Sequence, residues 1–171
     1  MGFEGQEVEL RDGLSGVRPV LEDLVLVSRA LDRRPEDTVV VPSGPLGDED
    51  VVEVRARTLL AAAVRAHRLG VGDAEAIFAR ALAVAEEGLG PVHPTVAAVL
   101  RERAAYLVAE GRAVEATSLY RRAVTVLRAT VGADHPDVAS TLHDLALICD
   151  VEGRTEEARS LWAEARTALR H

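Results

Sequence analysis

From Asp73 to His171 the chain repeats itself. Gly90-Pro91-Val92-His93-Pro94 returns 42 residues later as Gly132-Ala133-Asp134-His135-Pro136. The same displacement carries Ala74 onto Ala116 and Ala158, Phe78 onto Tyr120 and Trp162, and Ala81 onto Ala123 and Ala165. A fixed period in this range marks a solenoid, in which a unit too small to bury its own apolar face stacks on the next. Glycine and proline divide each unit into two helical stretches. The spacing predicts helices from about Val51 to His67, Asp73 to Gly88, Pro94 to Glu110, a fourth ending near Val131, Pro136 to Glu152, and Thr155 to the C-terminus. Each glycine before a His-Pro pair suits a left-handed helix end, and the proline suits a first helical turn, where its missing N–H costs least. Gly47-Asp48-Glu49-Asp50 supplies carboxylates to the start of the first helix, and Thr155 with Glu156-Glu157 does so for the last.

The composition agrees with closely packed helices. Aromatic residues are 3% of the chain, so the core is built of Ala, Leu and Val. No apolar run is long enough to cross a bilayer, the acidic Met1–Arg11 stretch has no signal-peptide core, and one cysteine, Cys149, excludes an intrachain disulfide. A cytoplasmic location is expected, with Cys149 as a small buried hydrophobe. All 20 basic residues are Arg, and Lys and Asn are absent, which points to a GC-rich bacterial genome. Net charge is −8; residues 1–50 carry 5 Arg against 12 Asp and Glu, net −7. That balance is the opposite of a nucleic-acid-binding footprint. An acidic arm of this kind solubilises the chain or steers a basic partner.

Ahead of the repeats, Pro19, Val20, Leu21, Leu24, Val27 and Leu31 predict a helix at about 18–32, a natural cap for the first repeat. Asp32–Asp50 contains Pro35, Pro42, Pro45, Gly44 and Gly47 around the β-prone Thr38–Val41 run. It reads as an ordered crossover, or as a lid over the scaffold. Arg159, Glu164, Arg166 and Arg170 give the last helix a polar outer face, so a closed monomer is expected, with a dimer through residual apolar surface as the alternative.

The repeat resembles the tetratricopeptide repeat. Small residues stand where its A and B helices cross, at Ala104 and Ala146 in A and at Ala116 and Ala158 in B. Leu100, Leu142, Tyr120 and Trp162 fill between them. The 42-residue period and the Gly-x-x-His-Pro turn are similar to the kinesin-light-chain subclass, which also occurs in bacterial proteins. The resemblance covers roughly 51–171. It implies an all-α, right-handed α-solenoid of about three helix pairs, with repeats at about 51–93, 94–135 and 136–171. A 1–50 segment holds the arm, the 18–32 helix and the Pro/Gly-rich loop. It also implies binding of an extended or helical peptide in a concave groove lined by A helices. In that subclass, asparagines in mid-helix A hold the peptide backbone. The equivalent places here read Leu59-Leu60, Arg101-Glu102 and His143-Asp144, so this groove is expected to read charge or shape.

Stepping by 42 residues places Leu59, Ala63, His67, Arg101, Ala105, His143, Leu147 and Asp150 on the groove, with Arg101 beside His143 and Glu102 beside Asp144. Arg101 is suited to holding a carboxylate in two-point fashion, and His143 to sensing pH. The site expectation is therefore Leu59, His67, Arg101, Glu102, His143, Asp144 and Asp150. Glu102 and Asp144 are the one pair to weigh for acid–base work, but no nucleophile or phosphate-binding motif accompanies them. His93 and His135 occupy equivalent turns and read as caps; no metal and no cofactor are expected. Phe78, Tyr120 and Trp162 read as packing. The expected function is an interaction module for a peptide or protein partner. The alternatives are a small-molecule pocket, regulatory or catalytic, under the Asp32–Asp50 segment, and a structural subunit of a larger assembly.

Overall fold

The computed structural model of the protein describes residues 47–169. The expected 18–32 helix, the arm and most of the Asp32–Asp50 loop lie outside the described residues. Those described form six helices and no strand: α1 (Asp48–Leu69), α2 (Ala74–Leu89), α3 (Pro94–Ala109), α4 (Ala113–Thr130), α5 (Pro136–Val151) and α6 (Thr155–Ala168). They pack as three hairpins, α1 with α2, α3 with α4 and α5 with α6. Successive hairpins meet through α2 on α3 and α4 on α5, and α1 also packs on α3. The result is an all-α solenoid of helix pairs.

The helix ends follow from identifiable side chains. His93 Nδ1 accepts the Thr95 amide and His135 Nδ1 accepts the Asp137 amide, each at 3.1 Å, with Pro94 and Pro136 next in the helix. His135 Nδ1 also lies 3.5 Å from Asp137 Oδ2. A nitrogen whose lone pair accepts an N–H cannot also donate, so we read the contact as a cap and not as an ion pair. At the other end of each A helix the backbone closes through a left-handed glycine. Arg112 N–H reaches Leu107 O at 2.8 Å across Gly111, and Arg154 N–H reaches Cys149 O at 2.7 Å across Gly153.

Two expected boundaries hold to within one residue, but the capping differs from the pattern's suggestion. Thr155 does not cap α6: Arg154 is the N-cap and makes no side-chain cap bond. Arg154 instead pairs with Glu157 at 2.8 Å, as Arg112 pairs with Glu115 at 2.6 Å at the start of α4. Each carboxylate sits in a first turn, where the helix dipole favours it. Gly88 does not end α2, which continues to Leu89 with Gly90 as its cap. A Cβ at Gly88 would overlap the Val52 side chain, so the glycine marks a close approach of α2 to α1.

The core lies where the helices cross. Ala104, Ala116, Ala146 and Ala158 are fully buried, Phe78 and Tyr120 fill beside them, and Trp162 is half-buried on the last helix. Burial also reveals the true register. Ala56, Leu59, Ala63 and Ala66 are buried as Ala97, Leu100, Ala104 and Leu107 are, a displacement of 41 residues. From α3 to α5 the displacement is 42, since the same four positions become Ala139, Leu142, Ala146 and Cys149. The B helices keep 42 throughout. The spacing from the glycine that closes the A helix to the first buried alanine of the B helix is therefore one residue shorter in the first hairpin, Gly70 to Ala74, than in the others, Gly111 to Ala116 and Gly153 to Ala158.

Candidate binding groove

This 41-residue register corrects the expected groove. Leu59 is 2% exposed and Ala63 fully buried, both in the core with Val96, Val99 and Leu100. A one-residue slip rotates a helical position by about 100°, enough to move it from surface to core. The α1 residues equivalent to Arg101, Glu102 and Ala105 are Leu60, Ala61 and Val64. Those three line an open depression of about 520 Å³ between α1 and α3, together with Arg57, Arg65, Arg68 and Glu102.

A second depression, of about 300 Å³, lies between α3 and α5. Its walls are Ala105, Val108, Asp144 and Leu147, and Tyr120 of α4 forms part of its floor. The two helices beside it, α3 and α5, pack less closely than α1 and α3 do. Val108 is 41% exposed and Leu147 46% exposed. Tyr120 is 4% exposed, and its hydroxyl has no hydrogen-bond partner among the described residues. Burial, reinforced by the Asp144 charge, pushes its pKa up to about 12, so it stays a neutral donor at physiological pH. The sequence marked Tyr120 as packing only. Its position beside a gap between A helices depends on tertiary geometry that the repeat pattern does not carry.

The remaining expected residues fall in different environments. Arg101 does not meet His143. It reaches toward the start of α5, donating to Ser140 Oγ at 3.0 Å and lying 3.5 Å from Asp137 Oδ1. Helical side chains lean toward the N-terminus of their helix, so a long one meets the neighbouring helix a turn early. Arg101 thus bridges the two A helices α3 and α5. His143 is exposed, with Nδ1 3.9 Å from Asp144 Oδ1. Glu102 and Asp144 line separate depressions and form no acid–base pair. His67 is half-buried, its ring edge-on to Tyr106 at 5.1 Å. Asp150 is exposed at the end of α5. Among the described residues no group of three or more His, Cys, Asp or Glu is placed to hold a metal. Among the described residues no helix is long and apolar enough to cross a membrane.

A family model for the tetratricopeptide repeat matches residues 54–129 and again 95–171. The chain belongs to the tetratricopeptide repeat family. The two matched windows start one A helix apart and end one B helix apart, spanning α1 through α6. A comparison with curated proteins finds no match. Tetratricopeptide repeats generally mediate protein–protein interaction. In this tetratricopeptide chain both of these depressions lie along the A helices α1, α3 and α5.

Proposed function

We propose that the protein is an interaction module that holds a peptide or protein segment in the groove along α1, α3 and α5. The observation that carries this reading is an apolar row crossing all three A helices at one register: Val64, Ala105 and Leu147. Val108 and Val151, the latter 87% exposed, extend it on one side. Exposed valine and leucine in an aligned row, beside two depressions, form a surface that gains by being covered. The groove is open, and the segment proposed as a lid lies outside the described residues, so no observation favours the small-molecule alternative. The 42-residue period and the capping His-Pro turns support a kinesin-light-chain-like subclass. An all-arginine basic set supports a bacterial source, and a single buried cysteine supports the cytoplasm. A monomer completes the proposal.

The test is a displayed peptide library selected on the immobilised full chain, followed by affinity measurements on the enriched peptides. Leu147→Asp is expected to weaken them at least tenfold, whereas Val114→Asp, 78% exposed on α4, leaves them unchanged. Undiminished affinity in Leu147→Asp would move the site off the groove.

A further inference from the structure

The groove changes sign from one side to the other. On α1 the groove-facing charges are Arg57, Arg65 and Arg68. Arg57 lies 2.8 Å from Glu53, but Arg65 and Arg68 are exposed with no carboxylate partner among the described residues. On α3 the charges balance, Arg101 against Glu102. On α5 they are negative: Asp144 lines the second depression, exposed Asp150 stands at the register of Val108, which lines it too, and the helix contains no Arg. Aligned positions show the same trend, with Arg68, Ala109 and Val151 in one row and His67, Val108 and Asp150 in another. The apolar row Val64, Ala105 and Leu147 runs from the basic side to the acidic side.

We propose that the groove selects a segment of opposite polarity, acidic where it lies over α1 and basic where it lies over α5, with apolar residues between. This rests on the groove-binding reading above and names its partner class. Such a segment pairs its carboxylates with Arg65 and Arg68 and its cations with Asp144 and Asp150. A uniformly charged one is repelled at one side. The spacing follows from the scaffold. Packed helices stand about 8–10 Å apart and the looser α3–α5 step is at least that wide, so the two charged sides lie roughly 20 Å apart. An extended chain advances about 3.3 Å per residue, which separates the acidic and basic positions by about six residues. The Tyr120 hydroxyl, unpartnered on the floor of the second depression, offers a hydrogen bond to the segment's backbone near the basic end.

The experiment reads the charges of the peptides enriched on the full chain and compares two double variants, Arg65→Glu with Arg68→Glu and Asp144→Arg with Asp150→Arg. The expected consensus carries Asp or Glu on one side of an apolar stretch and Lys or Arg on the other. These peptides should lose at least tenfold in affinity in either variant and bind more weakly as salt rises. Circular dichroism checks that each variant keeps the helical fold; should one lose it, the other carries the same test. Peptides of a single sign, or affinities untouched by both variants, would overturn the proposal. If those same peptides still lose affinity to Leu147→Asp, the groove reading survives that failure. A library from which nothing enriches would overturn both.

Discussion

At the scale of single residues, the two histidines of the His-Pro turns are helix caps, and this sets their expected cost. Each supplies a ring nitrogen to an otherwise unpaired amide of the first turn. Removing a side-chain cap typically costs about 1 kcal/mol. His135→Ala should lower the melting temperature by about 2–4 °C, and His135→Asn, which keeps an acceptor, by less. Equal losses in the two variants would mean that the imidazole acts through packing. Gly88 makes the converse case. In an exposed helix interior Gly→Ala usually stabilises by about 1 kcal/mol. Here the added methyl meets Val52, whose short branched side chain cannot swing aside. Gly88→Ala should therefore destabilise, by about 1–3 kcal/mol. In a Val52→Ala background the same change should become neutral or favourable. A double-mutant cycle in urea measures the coupling.

At the scale of helices and turns, most of the fold was legible and the groove only in part. Pro94 and Pro136 at helix starts, Gly111 and Gly153 at ends, and the 42-residue recurrence of alanines placed α2 to α5 within two residues and the start of α6 at Thr155. The same period misplaced α1 by one residue. The clue was present in the glycines that close the A helices: Gly70 to Gly111 is 41 residues, and Gly111 to Gly153 is 42. Leu59-Leu60 and Ala61-Ala62-Ala63 offered no polar residue to show which face was buried, so the slip left no contradiction in the pattern. The short B-helix starts add a pH-dependent term. Arg112 holds the Glu115 carboxyl below its ordinary value of 4.5, and Arg121 does the same for Glu157, aided by Arg154. A carboxylate with a lowered folded-state pKa stabilises above its unfolded value and loses that contribution as pH falls through the folded one. Stability should therefore be flat near neutrality and decline below about pH 4.5. In the Arg112→Gln, Arg154→Gln, Arg121→Gln triple variant this decline should be shallower. Glu115 is exposed and Glu157 half-buried, so raised salt should narrow the difference between parent and variant.

At the scale of the whole molecule, each hairpin touches only its neighbours, so stability is a sum of local terms and differs along the axis. Two ion pairs illustrate the neighbour coupling. Arg122 of α4 pairs with Glu86 of α2, and one repeat on Arg128 of α4 pairs with Glu164 of α6. Glu86 and Arg128 are equivalent positions, as are Arg122 and Glu164, so the same bridge recurs with its charges exchanged. Arg121 adds a second link to α6 through Glu157 at 2.5 Å. Exposed links of this kind contribute about 0–1 kcal/mol each and cannot replace burial. Burial is what α6 lacks: its buried side chains are Ala158, Ala165 and Ala168, and Leu161 and Trp162 are only half-buried. By contrast α4 buries Tyr120, Val124, Val126 and Leu127 with helices on both sides. A helix held mainly by alanines and surface ion pairs opens at lower free energy than one clamped between neighbours. Native-state hydrogen exchange should find α6 amides exchanging well before those of α3 and α4, through an opening that exposes Cys149. That thiol is fully buried, and burial pushes its pKa up, so alkylation should occur only through this opening. Alkylation and α6 exchange should then share one urea dependence. Protection in α6 equal to that of α4 would mean that the three hairpins open as a single unit.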